Sequence, residues 1–161
     1  MRHAISVFPM MNRTTTLNQF MNEGQLCTCA NLRKAVRAVS QLYDDAFRPI
    51  GLRATQFGLL GATGMLGPLT INRIAEAIVM DRTTLTRNLR PLEKQGLLRI
   101  RSGKDRRERE VSITRRGQVV LAKGYPLWKK AQGKVIKGLG QERVSRLLKD
   151  LSAVVAVAHQ G

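Results

Sequence analysis

Apolar residues recur along this chain at two different periods, and the change of period marks its parts. Between Asp81 and Gly96, Leu85, Leu89 and Leu92 stand at helical spacing, which predicts a helix with one buried face. Thr83, Arg87, Arg90 and Lys94 fall on the opposite face, flanked by Thr84 and Pro91. Asp81 is the expected N-cap and Gly96 the expected stop. Upstream, Ile71, Ile74, Ala75 and Ile78 predict a short helix behind a second cap, Thr70. Downstream the period drops to two. Leu98 and Ile100, then Val111 and Ile113, alternate with polar residues and frame a basic connection, a β-hairpin with a charged tip.

Longer helical patterns flank this set. Leu32, Ala35, Val36, Val39, Leu42, Tyr43 and Ala46 predict a helix from Cys27 to Phe47, ended by Arg48-Pro49-Ile50-Gly51. A shorter one is expected from Thr55 to about Leu60, closed by a Gly/Pro-rich link from Gly64 to Pro68. Thr114 should cap a long helix through Val120, Leu121, Trp128 and Ile136, bent at Pro126. Gly138-Leu139-Gly140 separates it from a last helix carrying Val144, Leu147, Leu148, Leu151 and Val154. Residues 1–22 show no periodicity and are expected to be a flexible arm.

Helix, tight turn, helix and basic hairpin is the order of a winged helix-turn-helix, which places its second helix in the DNA major groove. The expected fold class is mainly α with a small β-hairpin, in a single domain over 23–161. The winged helix-turn-helix lobe takes about 54–114, and the helices at about 26–48 and 115–159 flank it. Those flanking helices offer more apolar surface than so small a lobe can cover, and a symmetric homodimer is the simplest way to bury it.

Charge supports the same picture. The 161 residues hold 28 Lys and Arg against 11 Asp and Glu, a net +17 that calls for an anionic partner. Residues 81–117 alone hold 12 basic and 5 acidic side chains. The lysines and arginines after residue 117 are read as a solvated face. At 4%, aromatic residues are too few for stacking single-stranded bases. No apolar run reaches membrane-spanning length and no signal peptide is evident, so a cytoplasmic protein without a membrane role is expected. No nucleophile–base pair, phosphate loop or carboxylate pair suggests an enzyme, and no cofactor is expected. Cys27 and Cys29 with His3 and His159 make no tetrahedral metal set.

The run LTINRIAEAIVMDRTTLTRNLRPLEKQGLLRIRSGKDRREREVSITRRG resembles the DNA-binding region of the MarR family of bacterial transcriptional regulators. The helix DRTTLTRNLRPLEKQGLL and a wing with Asp105 and Arg107 leading into VSIT are its specific parts, and the similarity runs from about Leu26 to the C-terminus. The resemblance implies a double-stranded DNA-binding homodimer on an inverted-repeat operator, more often repressor than activator. On the recognition helix, Arg87 is the expected base reader, because its planar fork can hold a guanine edge bidentately. Arg82, Thr83 and Thr84 stand at the helix start, Asn88 lies nearer the buried boundary, and Arg90 and Lys94 suit phosphates. Pro91 is expected to kink the helix. In the wing, the resemblance implies that Asp105 and Arg107 organise the tip and that an arginine enters the minor groove. Lys104, Arg106 and Arg109 suit that groove equally. Glu108 and Glu110 are expected to pair with hairpin neighbours.

Members of this family commonly respond to a small aromatic or phenolic anion held between the dimer helices and the DNA-binding lobe. Tyr43, Phe57 and Trp128 are the candidate walls here, each equally an ordinary core residue. An alternative is oxidant sensing at Cys27 and Cys29, thiols near a helix start beside Arg33 and Lys34. Two cysteines two apart within a helix would point about 200° from each other, against a disulfide between them. A third reading, a DNA-coating architectural protein, rests on charge alone.

Overall fold

The structure, a computed structural model, describes residues 13–103, 105 and 107–158, which form two compact units divided between Val39 and Ser40. Helix α1 (Arg13–Gly24) and the first part of α2 (Thr28–Phe47) belong to the first unit. The flexible arm expected up to residue 22 is therefore helical from Arg13 onward, while residues 1–12 lie outside the described residues. Leu17, Phe20 and Met21 stand at i, i+3 and i+4 along α1, a stripe of one turn that is too short to register against the preceding threonines. All three are exposed.

In the second unit, the end of α2 runs into a 3-10 turn, Arg48–Ile50, which Gly51 closes at φ +67°. Then come α3 (Ala54–Leu66), β1 (Leu69–Thr70), α4 (Ile71–Ala77), α5 (Arg82–Lys94), β2 (Leu98–Ser102), β3 (Arg109–Ile113), α6 (Arg115–Leu139) and α7 (Gln141–Ala158). Helix α3 starts where two orphan donors find side chains. The Arg53 N–H donates to Gln56 Oε1 at 2.9 Å and the Ala54 N–H to Asp44 Oδ1 at 2.6 Å. It is twice as long as the pattern suggested. Gly58, Gly61 and Gly64, each costing about 1 kcal/mol against alanine in a helix, do not stop it. Burial of Phe57, Leu59, Leu60 and Thr63 outweighs that cost. The Thr63 hydroxyl is satisfied by the Leu59 carbonyl at 2.9 Å.

The sheet has the order β1-β3-β2 and is antiparallel throughout. Its register sets Leu98 opposite Ile113 and Ile100 opposite Val111, so the alternating residues share one face. The two-residue β1, pairing Leu69 with Val111, was not foreseen, since two residues show no alternation. Phe47, Leu60, Ile74, Leu85, Leu89, Leu92, Leu98 and Val111 are fully buried and weld the four helices α2 to α5 to the sheet. The Phe47 and Phe57 rings stack at 4.2 Å.

Both internal prolines are absorbed. Helix α5 is continuous across Pro91, where a kink is expected, and α6 across Pro126, where a bend is expected, so neither proline ends its helix. Each removes one N–H, and Pro91 stands close enough to the end of α5 that only its last turn is affected. On α7, Leu147, Leu148 and Val154 are exposed, which leaves an apolar face on this part of the single chain.

The tightest approach lies where α6 begins. A Cβ on Gly117 would stand 2.2 Å from the Leu97 carbonyl oxygen and 2.8 Å from Ile113 Cγ1. A backbone oxygen cannot swing aside, so Gly117→Ala is expected to lower stability by about 1–3 kcal/mol. Gly133→Ala in the same helix, where the Cβ meets nothing, should instead gain up to about 1 kcal/mol. Denaturant midpoints of the two variants beside the parent chain check both signs.

Candidate nucleic-acid interface

Helices α4 and α5 are each fixed at both ends by hydrogen bonds that leave few backbone groups free. Thr70 caps α4 through Oγ1, which accepts from the Arg73 N–H at 3.3 Å. At the other end the Met80 N–H reaches the Ala75 carbonyl at 2.9 Å and the Val79 N–H the Glu76 carbonyl at 3.2 Å. That is a Schellman closure, and it places Val79 at φ +55°, a conformation that a β-branched residue rarely adopts. Asp81 caps α5, accepting from the Thr84 N–H at 2.8 Å. Hydrogen bonds from the Thr84 hydroxyl and then from its N–H hold the Asp81 carboxyl below its ordinary range. Helix α5 ends in a second Schellman closure. Leu97 N–H bonds to the Leu92 carbonyl at 2.9 Å and Gly96 N–H to that of Glu93 at 2.8 Å, with Gly96 at φ +69°.

With Leu85, Leu89 and Leu92 fully buried, the opposite face of α5 has to point outward. Arg82, Thr83, Arg87, Arg90 and Lys94 are exposed, and Thr84 and Asn88 are half-buried at the margin. Asn88 is partly engaged inward, its amide 3.7 Å from the Met80 sulfur. Among the described residues, none of the four cations on this face has a carboxylate partner; the three ion pairs present join Asp45 to Arg48, Arg73 to Glu76 and Glu142 to Arg146. The acid within the helix, Glu93, is directed elsewhere and accepts from the Ile100 N–H at 3.2 Å. It ties the end of α5 to the first wing strand.

At the wing tip, Asp105 Oδ1 accepts from the Arg107 N–H at 2.9 Å, and the Asp105 carbonyl accepts from the Glu108 N–H at 3.0 Å. The Gly103 N–H then donates to the Glu108 carbonyl at 3.0 Å, which closes the turn. Arg107 and Arg109 are exposed. Lys104 and Arg106 lie outside the described residues. Neither Glu108 nor Glu110 has an ion-pair partner among the described residues, so the pairing expected of them is not seen there. Arg99 and Arg101, exposed on β2, extend the basic surface from helix to wing. The β alternation that identified the strand placed them outward, although neither stood among the candidates.

The MarR family's sequence model matches residues 50–108, the span from α3 to the wing tip. The transcriptional regulator MosR of M. tuberculosis, in a crystal structure with DNA, is 37% identical; the match covers 82% of this chain and 98% of that one, with a TM-score of 0.73. This chain belongs to the MarR family. A MarR variant of E. coli bound to operator DNA shares the fold at 21% identity and a TM-score of 0.73, covering 85% of this chain and 96% of that one. The uncharacterised HTH-type regulator YwoH of Bacillus subtilis is 26% identical over 87 residues, 54% of this chain and 64% of its own length. The family is one of transcriptional regulators and not of enzymes.

Elsewhere in this MarR-family chain, Tyr43, Phe57 and Trp128 come together around one cavity of about 600 Å³ between α2, α3 and α6. Phe47, Leu121 and Tyr125 also line it, and the Tyr125 and Trp128 rings stack at 5.8 Å. The Tyr43 hydroxyl donates to Gln132 Oε1, and burial raises its phenol above the ordinary value. Cys27 stands just outside α2 and Cys29 within its first turn; both are free and exposed. Among the described residues no group of His, Cys, Asp and Glu is placed to hold a metal, and no helix is long and apolar enough to cross a membrane.

The Asp81 cap makes the helix start sensitive to acid. A carboxyl lowered in the folded state contributes stability above its unfolded pKa, and that contribution is lost as pH falls through the lowered folded value. Asp81→Asn keeps a capping oxygen without the charge. Melting temperatures followed from neutral pH to below about pH 4 should therefore fall less steeply for Asp81→Asn than for the parent chain.

Proposed function

We propose that this protein is a sequence-specific, duplex-DNA-binding transcriptional regulator that acts as a homodimer on an inverted-repeat operator. The observation that carries the reading is the basic face of α5, forced outward by three buried leucines and left without carboxylate partners among the described residues. An ammonium or guanidinium row that the chain does not neutralise is suited to a phosphate backbone, and release of its counter-ions supplies the binding free energy. Arg87, midway along the face, reads a base edge; Arg82, Thr83 and Thr84 approach at the helix start; Arg90 and Lys94 hold phosphates. Asn88, with its amide toward Met80, contributes less. Asp105 shapes the wing so that Arg107 and Arg109 meet the adjacent minor groove. The exposed apolar residues of α7 support the dimer, and two recognition helices would then lie about 34 Å apart, one DNA turn. Repression released by a small molecule in the Tyr43–Phe57–Trp128 cavity completes the reading, for a cytoplasmic protein.

A second reading, oxidant control, is favoured by one observation. Cys27 is outside α2 at its cap, so the helical geometry that would turn it away from Cys29 does not bind it, and both thiols are accessible. Peroxide should then weaken duplex binding by the parent chain and leave a Cys27→Ser/Cys29→Ser variant unaffected, an assay that reduced and oxidised samples on one gel can decide.

The main test is a titration of a duplex from upstream of the protein's own gene beside a scrambled duplex, across a salt series. Preference for the first by about 10³ near physiological salt is expected of a regulator. Arg87→Ala should cost about 1–3 kcal/mol at one base position and relax preference there, whereas Lys94→Ala should weaken all duplexes alike and flatten the salt dependence. Equal binding to every member of a random duplex library would point instead to an architectural protein.

A further inference from the structure

Positive φ occurs at five positions among the described residues, and four of them are glycine: Gly51, Gly67, Gly96 and Gly140. The fifth is Val79, at φ +55°. A β-branched side chain in that conformation crowds its own backbone, whereas glycine would adopt it freely. The chain itself shows the alternative. Gly96 closes α5 at φ +69° with the same pair of hydrogen bonds that closes α4 at Val79. The turn between the two helices therefore needs the left-handed backbone, but it does not need the valine.

Packing does not account for the residue either. Ile78 and Met80, on either side of it, pack against the core, and Val79 does not. It is 52% exposed. A single exposed apolar residue is ordinary on a protein surface, but one held at the expense of the fold is not, and strain of this kind collects at functional positions. The place of Val79 narrows the function. It stands two residues ahead of the cap Asp81 and so borders the start of α5, where Arg82 and Thr83 are exposed. In a helix-turn-helix, the start of the second helix is the end that meets base edges in the major groove. Those edges display donors and acceptors that an isopropyl group cannot use, and one apolar group that it can, the C5-methyl of thymine.

We propose that Val79 is a base-contacting residue: in the DNA complex its isopropyl group packs on the methyl group of a thymine at one margin of the sequence that α5 reads. Release of water from the two apolar surfaces favours the contact, which offsets in the complex what the left-handed conformation costs in the free chain. The proposal rests on the duplex-reading role of α5.

The test takes the tightest duplex that the full chain selects from a random library and replaces each thymine in turn by deoxyuridine, which lacks only the methyl group. At one thymine the parent chain should lose about fourfold in affinity per half-site, the worth of one buried methyl. Val79→Gly should bind the thymine and uracil forms of that position alike and melt no lower than the parent. Thymines met by the side chains of α5 itself should remain sensitive in the variant. Val79→Asn, which tolerates the left-handed backbone and keeps a side chain, should behave as Val79→Gly does and so separates the lost contact from the added freedom of glycine. A Val79→Gly chain that responds to uracil as the parent does at every thymine would overturn the proposal. So would one that melts below the parent, because the valine would then be held by packing. A library that yields no preferred duplex would overturn the reading of α5 and this contact with it. A preferred duplex that is insensitive to uracil throughout would overturn the contact alone and leave the reading of α5 standing.

Discussion

The arrangement of helix, wing and long C-terminal helix depends on one crossing of the chain. The Thr114 hydroxyl donates to the Gly96 carbonyl at 2.7 Å and accepts from the Gly117 N–H at 3.0 Å, while the Thr114 N–H donates to the Leu97 carbonyl at 3.0 Å. Gly96 ends the recognition helix, Leu97 leads into the first wing strand, and Thr114 ends the second and caps α6. Three elements that are distant in sequence thus share one residue. The crossing is close because Gly117 has no side chain: its Cβ would occupy the space of the Leu97 carbonyl. Nothing in this junction is charged, so it is not screened by salt.

That outer surface is arranged by subtraction. The leucines of α5 decide which side is buried, and the arginines and lysine are left over on the other. What could have neutralised them has been turned away. Glu93 is spent on the Ile100 N–H, and Asp81 on the start of its own helix. Both of these acids thus satisfy a backbone donor, which supports the fold and leaves the basic face of α5 unpaired among the described residues. The basic residues of α5 and the wing strands that the structure describes are exposed, where water and salt weaken their mutual repulsion.

Most of the second unit was legible because its helices announce themselves twice, by period and by cap. Thr70, Asp81 and Thr114 were each identified as caps from sequence and each accepts the expected N–H. The Schellman stop at Gly96 was legible for the same reason, and its twin at Val79 was not, because a valine in left-handed backbone follows from tertiary pressure and leaves no local mark. The second half of α3 is not legible because its glycines count against a helix locally, while the burial of Leu59, Leu60 and Thr63 that sustains it is known only once the fold exists. Strand β1 escaped for want of length, and α1 for want of a second turn of apolar residues. Of the candidate cavity, the three aromatic residues were legible singly. That they share a wall with a row of small residues was not, because it requires α2, α3 and α6 to be placed together.

The two faces of α3 suggest how the cavity and the DNA-binding surface are joined. On one side Leu59, Leu60 and Thr63 pack into the core that Leu85 and Leu89 of the recognition helix also enter. On the other, Gly58, Gly61 and Ala62 border open space. A packed interior transmits displacement because it is dense and has no slack, whereas the glycine side offers room for movement. On the proposed reading, a molecule seated against that side would change what α3 can do at little cost in packing, and the stiff side would carry the change to α5. Coupling of this kind needs a bistable element and a difference in affinity between its two positions, since a ligand that fits both equally shifts nothing. Helix α3 has the asymmetry for the first requirement: a tight face that defines one position and a loose one that permits another.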